Sequence, residues 1–523
     1  MGRFSPFSRV SPTLRHTLVV AIGGFIFGFD ASVISGAIGF IDTEFGLSAW
    51  QQGLVVSSPT LGALFAMCCA GAVSDVIGRR KMLIFIAALY FMSSLTSAMS
   101  VNYTMLVCAR FVGGMAFCCL LIAPMYIAEI SAPFHRGRMI SVNQLNIVLG
   151  FAVSYFSNFM FLQLSSSEAQ WVHQLGINDH AWRFMVGMEV IPAALWFTLL
   201  FTVPRSPRWL MLNNRHDEAR QVVHSLFDSE QAEKQLAAIG DSLEQKSWQW
   251  RERLGFLLTP KMRFPLLIGL ILGVAQQITG INVIFFYAPT IFEHSGVGTD
   301  AAFMQAIFIG LVNIIFTVVA MVTIDRWGRK PLLITGLCGV ILSMSVCAYG
   351  FQQATYKLDS VEVAEISLGS AELQSALTPL EGIAFDSDVE FKHALRSALG
   401  DESYHQYQRT LLSKGIDMNA PLVLFGIIAF VASYAMSLGP VMWAMLAEIF
   451  PNQSRALAIS LVGVVNSLSS FMVQLLFPWE LMYLGAALTF SLYGAFAFIS
   501  LVLVIKIFPE TRGRTLEQIG QGL

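Results

Sequence analysis

The sequence contains twelve blocks of about 20 apolar residues, the length that an α-helix needs to cross the hydrocarbon core of a bilayer. Only 13% of the 523 residues are charged, about half of the fraction typical of soluble globular proteins. We therefore predict an all-α integral membrane protein with twelve transmembrane helices. The predicted spans lie near residues 17–39, 51–73, 82–99, 104–127, 140–163, 182–203, 264–292, 301–324, 332–352, 419–446, 456–477 and 481–508.

Basic residues are concentrated on one side of these spans. The loops after spans 2 and 8 contain Arg79, Arg80, Lys81, Arg326, Arg329 and Lys330. Lys and Arg are missing from the alternate segments 40–50, 100–103, 293–300 and 478–480. The positive-inside rule therefore predicts that both termini lie in the cytoplasm. We expect a multi-pass protein of the cell (inner) membrane. The first span carries Asp30 and lacks a following cleavage site, so we predict that it is retained rather than removed as a signal peptide.

The second half of the chain repeats motifs of the first half. Asp75 of Asp-Val-Ile-Gly-Arg-Arg-Lys is echoed 250 residues later by Asp325 of Asp-Arg-Trp-Gly-Arg-Lys. Ala-Glu-Ile at Glu129, followed by Arg136, is echoed 319 residues later at Glu448, followed by Arg455. Such repeats are typical of transporters that bind substrate between two rocking halves. A duplicated scaffold without transport is the alternative interpretation.

The two offsets differ by 69 residues, which locates an insertion in the second half. We predict a six-helix half at 1–203, a cytoplasmic helical linker at 204–263, a second half at 264–508 and a short cytoplasmic tail at 509–523. The insertion is segment 353–418, which contains eleven acidic and five basic residues. We expect it to be an outer, solvated and partly helical segment without a catalytic role.

The basic loops are predicted to form a cytoplasmic gate. Their arginines can reach neighbouring helix ends and pair with Glu129 or Glu448. We expect such pairs to form when the cytoplasmic side closes and to break when it opens. Exposed pairs contribute only about 0–1 kcal/mol each, so a network is needed. The alternative is that these cations only fix the topology. The predicted gate residues in these motifs are Asp75, Arg79, Arg80, Glu129, Arg136, Arg138, Asp325, Arg329, Glu448 and Arg455.

Asp30 and Arg110 are predicted to lie inside the membrane, within spans 1 and 4. A charge there costs at least about 2.5–3.5 kcal/mol on insertion scales, so it normally faces a cavity and a partner. A carboxylate that alternates between water and an arginine can take up a proton on one side and release it on the other. We predict a proton-coupling pair; a static ion pair between two spans is the alternative. Glu189 in span 6 fits either a functional or a structural acid.

Uncharged polar side chains are concentrated in the predicted span 7. Amides donate and accept hydrogen bonds as sugar hydroxyls require, and an aromatic face covers the apolar side of a sugar. Gln277 and Asn282 lie about 140° apart on an ideal helix, so they converge only if Gly280 interrupts it. Hydrogen bonding between packed helices is the alternative role. The polar candidates are Gln144, Gln276, Gln277, Asn282, Asn313, Trp443 and Asn466.

The sequence lacks the phosphate-binding loop, HExxH and CxxC patterns. We therefore expect neither an enzyme nor a cofactor or metal site. The net charge of −2 gives no reason to expect nucleic-acid binding. The expected partners are a small sugar, protons and the lipid bilayer, with the protein acting as a monomer.

At this point the sequence resembles the sugar porter family of the major facilitator superfamily. The similarity includes Gly23 to Gly36 of span 1, Pro207-Arg208-Trp209-Leu210, Gln276 to Asn282 and Pro509-Glu510-Thr511-Arg512-Gly513. It covers all twelve spans and fails only in the insertion.

This resemblance implies the major facilitator fold, with two pseudo-symmetric six-helix halves, and specific roles for the residues. Asp30 and Arg110 would handle the proton, and Phe286 and Tyr287 would form an outer gate. Arg208, Glu510 and Arg512 would join the cytoplasmic gate. Sugar contacts would come from Phe27, Gln144, Gln276, Gln277, Asn282, Asn313 and Trp443.

Three positions depart from the family pattern. Arg205 replaces a gate glutamate, Asn466 is followed by Ser467 rather than Trp, and Phe286 replaces a tyrosine. The function expected from the resemblance is proton-coupled monosaccharide symport by alternating access. An uncoupled sugar or polyol facilitator and a non-transporting sugar sensor are the alternatives.

Overall fold

The structure is a computed structural model that describes residues 11–132, 135–244, 255–257, 259–367, 371–451 and 454–510. Twelve helices within these ranges are long and apolar enough to cross a membrane, as the sequence predicts. They are called spans 1 to 12 in chain order. Their bounds are Pro12–Phe45, Ala49–Ile77, Arg79–Ala98, Tyr103–Ile130, Arg136–Ser165, Ile177–Thr202, Pro260–Glu293, Thr299–Trp327, Arg329–Gln352, Ala420–Ile449, Arg455–Tyr483 and Gly485–Ile507.

Several spans contain an internal break. Span 4 has a short 3-10 turn at Ala116–Cys118, and span 6 ends in one at Leu200–Thr202. Span 7 is interrupted after Ile278 and resumes at Ile281, and span 10 is interrupted between Met436 and Leu438. Irregular backbone at membrane depth is tolerated where it is buried in protein or lines a cavity.

One predicted loop is wrong. Residues 478–480 were expected to connect spans 11 and 12, but they lie inside span 11, and the turn comes at Leu484. Pro478 does not end the helix, because a proline removes one backbone hydrogen bond that neighbouring groups in a membrane bundle can compensate. The helix of span 1 likewise continues past the predicted end to Phe45.

Close backbone contact joins neighbouring spans within the first half. A Cβ atom at Gly28 would lie 2.0 Å from the carbonyl oxygen of Ile147, and one at Gly150 would lie 2.1 Å from that of Phe25. Only glycine therefore fits at this crossing of spans 1 and 5, as is common where membrane helices pack closely. This crossing holds the middle of span 1, including Asp30, against its neighbours.

The side that carries residue 11 and residue 510 is called the termini face, and the opposite side, which carries the insertion, is called the insertion face. Contacts between the two halves occur towards the insertion face. Thr60 of span 2 donates to Gln474 Oε1 of span 11 over 3.1 Å, and Gln163 of span 5 donates to Asp300 of span 8 over 2.9 Å. The Trp50 and Trp479 rings also meet there, with centroids 6.4 Å apart.

Two further segments lie outside the spans. The predicted linker contains helices Pro207–Leu212, His216–Leu226 and Ser229–Glu244 at the termini face. The insertion contains a two-stranded antiparallel sheet, Thr355–Tyr356 with Ile416–Asp417, and helices Ser360–Ile366, Ala371–Leu377 and Asp388–Gly415. It has its own apolar core around Leu358, Phe391 and Leu411.

Candidate functional site

The break in span 7 brings three amide side chains together. Gly280 has a φ of +90°, a left-handed conformation that glycine adopts readily, and it separates the two parts of the span. Asn282 Nδ2 donates to Gln277 Oε1 over 2.7 Å, and Gln277 Nε2 donates to Gln276 Oε1 over 3.3 Å. Gln276 and Gln277 are buried. The interruption thus produces the convergence that a continuous helix would prevent.

Span 11 supplies the other side of this amide cluster. Asn466 Nδ2 donates to Gln276 Oε1 over 2.8 Å, and Asn466 Oδ1 accepts from Gln277 Nε2 over 3.2 Å. Ser470 Oγ accepts from Asn282 over 2.6 Å and from Gln474 over 2.7 Å. Through the bond from Thr60 to Gln474, the network reaches the first half of the protein.

Sequence reasoning named Asn466 as a polar candidate but missed Ser470 and Gln474, which follow it in span 11. Their spacing of four residues was the available signal, because it places three polar side chains on one face of a transmembrane helix. Each is buried.

The remaining candidates for sugar contact lie outside the hydrogen-bonded cluster. Gln144 is exposed, Asn313 is buried, and Trp443 is about half exposed (48%). Neither Gln144 nor Asn313 makes a side-chain hydrogen bond to the described residues. Phe27 contacts Phe117 edge to face, with ring centroids 4.7 Å apart. Their contact with a sugar stays a prediction.

Two aromatic residues of span 7 lie between the amide cluster and the insertion face. Phe286 and Tyr287 are both buried, and Tyr287 interrupts the helical backbone with φ −129° and ψ 19°. The Tyr287 hydroxyl donates to the Gln474 carbonyl oxygen over 3.0 Å, and its ring lies 4.9 Å from that of Phe477. Tyr287 thereby joins spans 7 and 11 just beyond the amide cluster.

Asp30 and Arg110 form an ion pair within the first half. Arg110 Nη1 donates to Asp30 Oδ1 over 3.3 Å, and Arg110 Nε donates to the Val55 carbonyl oxygen over 3.1 Å. Glu189 of span 6 interacts electrostatically with both members of the pair. All three side chains are buried, so two carboxyl groups face one guanidinium cation inside the membrane.

The predicted gate residues of the first half form a connected group. Arg79 pairs with Asp75 over 2.8 Å and with Glu129 over 3.1 Å. Glu129 also accepts from Ser206 and interacts electrostatically with Arg208. Arg80 donates instead to backbone oxygens at the end of span 6, at 2.6 Å for Phe201. Trp209 donates to the Asp75 carbonyl oxygen over 2.9 Å, which attaches the linker to this group.

The second half repeats the central pair of this group. Arg329 pairs with Glu448 over 2.7 Å, as Arg79 does with Glu129. Arg455 donates to the Phe450 carbonyl oxygen over 3.0 Å, and Arg136 donates to that of Ala128 over 3.1 Å. The Arg79–Glu129 and Arg329–Glu448 ion pairs each join two helices of the same half.

The other predicted gate residues are less informative. Arg138 is exposed, and Arg205, at the altered family position, pairs with Glu218 over 3.7 Å. The Asp325 side chain and all of Arg512 lie outside the described residues.

Glu510 caps the helix of span 9. Its carboxylate accepts from the backbone amides of Arg329 over 3.2 Å and Lys330 over 3.1 Å, which are first-turn donors without intrahelical partners. We expect Glu510→Ala to remove about 1 kcal/mol of local stability, a typical contribution for an N-terminal cap. Hydrogen exchange of these two amides should become about fivefold faster by mass spectrometry. Glu510→Gln keeps an acceptor oxygen and should remain within about twofold of wild type. Unchanged exchange in the Ala variant would contradict the capping role.

Comparison with known proteins places this arrangement in a family. The family described as "Sugar (and other) transporter" matches residues 16–368 and 407–523. The chain belongs to the sugar transporter family. Residues 369–406, which the family match omits, are part of the insertion.

Curated relatives and solved structures agree with this assignment. The chain is 31% identical to the D-xylose transporter of Levilactobacillus brevis over 95% of this chain and 93% of that protein. It is 30% identical to the D-xylose-proton symporter of Escherichia coli K12 over 96% and 94% of the two chains. The inward-open structure of the xylose transporter XylE from E. coli matches with a TM-score of 0.72 at 27% identity, covering 97% of this chain and 99% of that chain.

These similarities identify the fold and the class of protein. The twelve spans form the major facilitator fold, with two six-helix halves, in a multi-pass membrane protein. The predicted family resemblance is confirmed.

Proposed function

We propose that this protein is a proton-coupled symporter of a monosaccharide that works by alternating access. One observation carries the proposal: a network of buried amides lies beside the interface between the halves, while a buried carboxylate–arginine pair lies within the first half. Relatives of this family that are named as D-xylose-proton symporters support both parts. The protein would act as a monomer with both termini in the cytoplasm.

The amide cluster suits a sugar because its side chains form hydrogen bonds with one another that sugar hydroxyls could take over. Gln276, Gln277 and Asn466 each donate and accept through their side chains, and Asn282 donates twice; a hydroxyl could replace any of these partners. Binding would exchange amide–amide bonds for amide–hydroxyl bonds, so no buried polar atom need lose its partner. Such an exchange gives specificity for polyhydroxylated ligands over apolar ones.

The charge cluster suits proton coupling because it holds two acids and one base. With Arg110 charged, the cluster carries a net charge of −1 when both Asp30 and Glu189 are ionised, and a proton on either acid neutralises it. Protonation of Asp30 would also weaken its ion pair with Arg110, freeing span 1 to move relative to span 4. A proton could therefore change the packing of the first half.

The halves would rock about the contacts that join them towards the insertion face, such as Thr60 with Gln474 and Gln163 with Asp300. The Arg79–Glu129 and Arg329–Glu448 pairs each lie within one half, so they stabilise the shape of that half and do not themselves join the two. The predicted gating role of these pairs would then arise from repositioning of each group as a unit. The halves are assigned to 1–203 and 264–508, with the linker 204–263 between them.

Uptake into proteoliposomes tests this function. The panel is D-xylose, L-arabinose, D-glucose and myo-inositol, each with and without an inward proton gradient. We expect at least one sugar to accumulate, by up to about tenfold per pH unit if one proton moves with each sugar. Equilibration without accumulation would support the alternative, an uncoupled sugar or polyol facilitator. Failure of the whole panel to enter or compete would reject the substrate class.

A further inference from the structure

A cavity of about 190 Å³ lies at the insertion face, between the insertion and the ends of spans 1, 7 and 11. A water molecule occupies about 30 Å³ of liquid, so the cavity has room for about six waters or one pyranose ring with some water. Tyr287 and Phe477 line its membrane side, and they separate it from the amide cluster beyond. The cavity therefore lies between the insertion face and the amide cluster, which is called the central site below.

The insertion supplies the roof of this cavity through helix Asp388–Gly415. Asp388 accepts from the Ala486 amide over 3.3 Å and from Lys392 over 2.9 Å, and Lys392 donates to the Leu481 carbonyl oxygen over 3.2 Å. Asp388 and Lys392 are buried. These contacts fix the roof to the turn between spans 11 and 12, so the cavity has defined walls rather than being a gap under a loose loop.

The lining combines the chemical groups that bind sugars. Tyr287, Tyr404 and Tyr483 provide aromatic faces, and Gln52 and Gln408 provide amides. Charges of both signs are present in the lining, as Asp42 and Glu293 are acidic and Lys392 and Arg396 are basic. This balance favours a neutral polar ligand over an ion of either sign.

His294 supplies the observation that points to a ligand. This residue is only 8% exposed and lines the cavity, yet its Nδ1 makes no hydrogen bond to the described residues. A buried polar atom without a partner is rare and requires an explanation. Burial and the nearby Lys392 lower the pKa of His294 well below its usual value, so the ring is neutral near pH 7. A neutral imidazole can hydrogen bond to a hydroxyl as donor or acceptor.

We propose that this cavity is a second binding site for the transported monosaccharide, at the entrance on the insertion face, with His294 and Gln408 as hydroxyl-binding groups. The inference rests on the proposed function, since it takes the same ligand class. The insertion would make the entrance a chamber in which sugar is held before Tyr287 moves.

Binding of D-xylose to the full chain in detergent tests this proposal. The double variant Gln277→Ala/Asn282→Ala removes the central site, and titration by saturation-transfer NMR then reports on any other site. We expect this variant to lose transport but to keep saturable D-xylose binding. Adding His294→Leu should weaken that remaining binding about 2–10-fold, as loss of one hydrogen bond implies. His294→Gln, the matched control, should stay within about twofold.

Gln408→Leu provides a second variant in the roof, so that a folding defect at His294 does not prevent the test. Its expected effect is the same 2–10-fold weakening, with an unchanged thermal midpoint. The proposal is overturned if the double variant has no saturable binding, or if neither added substitution alters it. If wild-type protein transports the sugar while either result is found, only the second site fails. If wild-type protein neither binds nor transports the panel, the proposed function itself fails.

Discussion

Replacing Asp30 by Asn is expected to abolish sugar accumulation driven by a proton gradient while leaving exchange of labelled sugar across the membrane. Asn has the same shape and can still accept the hydrogen bond from Arg110 Nη1, which spans 3.3 Å in the wild type. Asn cannot ionise, so ionised Glu189 and charged Arg110 leave the cluster neutral without a bound proton. Sugar movement is then no longer coupled to proton movement. The accumulation ratio should fall from up to about tenfold per pH unit to about one.

The measurement compares net uptake under an inward proton gradient with exchange of labelled sugar at equal pH, in the same proteoliposomes. Glu480→Gln is the matched control, because Glu480 is another carboxylate of a transmembrane helix and it bonds Tyr493 over 2.6 Å in the second half. Accumulation should survive in this control. If Asp30→Asn accumulates sugar as wild type does, the pair with Arg110 is a static link between spans 1 and 4.

Much of this site follows from local sequence. The twelve spans follow from hydropathy alone, and the break at Gly280 is expected because Gln277 and Asn282 cannot otherwise meet. The Arg79–Glu129 and Arg329–Glu448 pairs follow from a repeat in which similar motifs occupy similar places in each half. These features depend on residues close in sequence or on the duplication.

Other features depend on packing between distant segments, which one sequence does not reveal. Ser470 and Gln474 join the amide cluster because span 11 faces span 7, and this rotation is set by the whole bundle. Pro478 suggested a loop, but the surrounding bundle keeps it helical. The docking of Lys392 on Leu481 joins segments that are 89 residues apart. Composition described the insertion as a solvated segment, and only its tertiary contacts show that it closes a cavity.

The second large effect is expected for Asn282→Ala, which should weaken sugar binding about 30–100-fold. Asn282 Nδ2 donates to both Gln277 Oε1 and Ser470 Oγ, so truncation removes a ligand contact and also takes the donor from the buried Gln277 Oε1, while Ser470 Oγ keeps its bond from Gln474. One lost hydrogen bond contributes about 0.5–1.5 kcal/mol and a stranded buried group about 1–3 kcal/mol; a 30–100-fold change corresponds to about 2–2.7 kcal/mol, which lies within the sum of these two ranges. The dissociation constant of the panel sugar with the highest uptake, measured on purified protein, is the quantity to compare.

Asn158→Ala distinguishes ligand binding from helix packing as the role of Asn282. Asn158 is a buried amide that donates to the Val33 carbonyl oxygen over 3.1 Å, so it joins span 5 to span 1 without contact to the cluster. Its removal should lower the thermal midpoint and leave sugar affinity within about twofold. If Asn282→Ala behaves in the same way, with reduced stability and unchanged affinity, the amides of spans 7 and 11 hold helices together and the sugar binds elsewhere. A large loss of affinity in Asn282→Ala alone would identify the amide cluster as the sugar site.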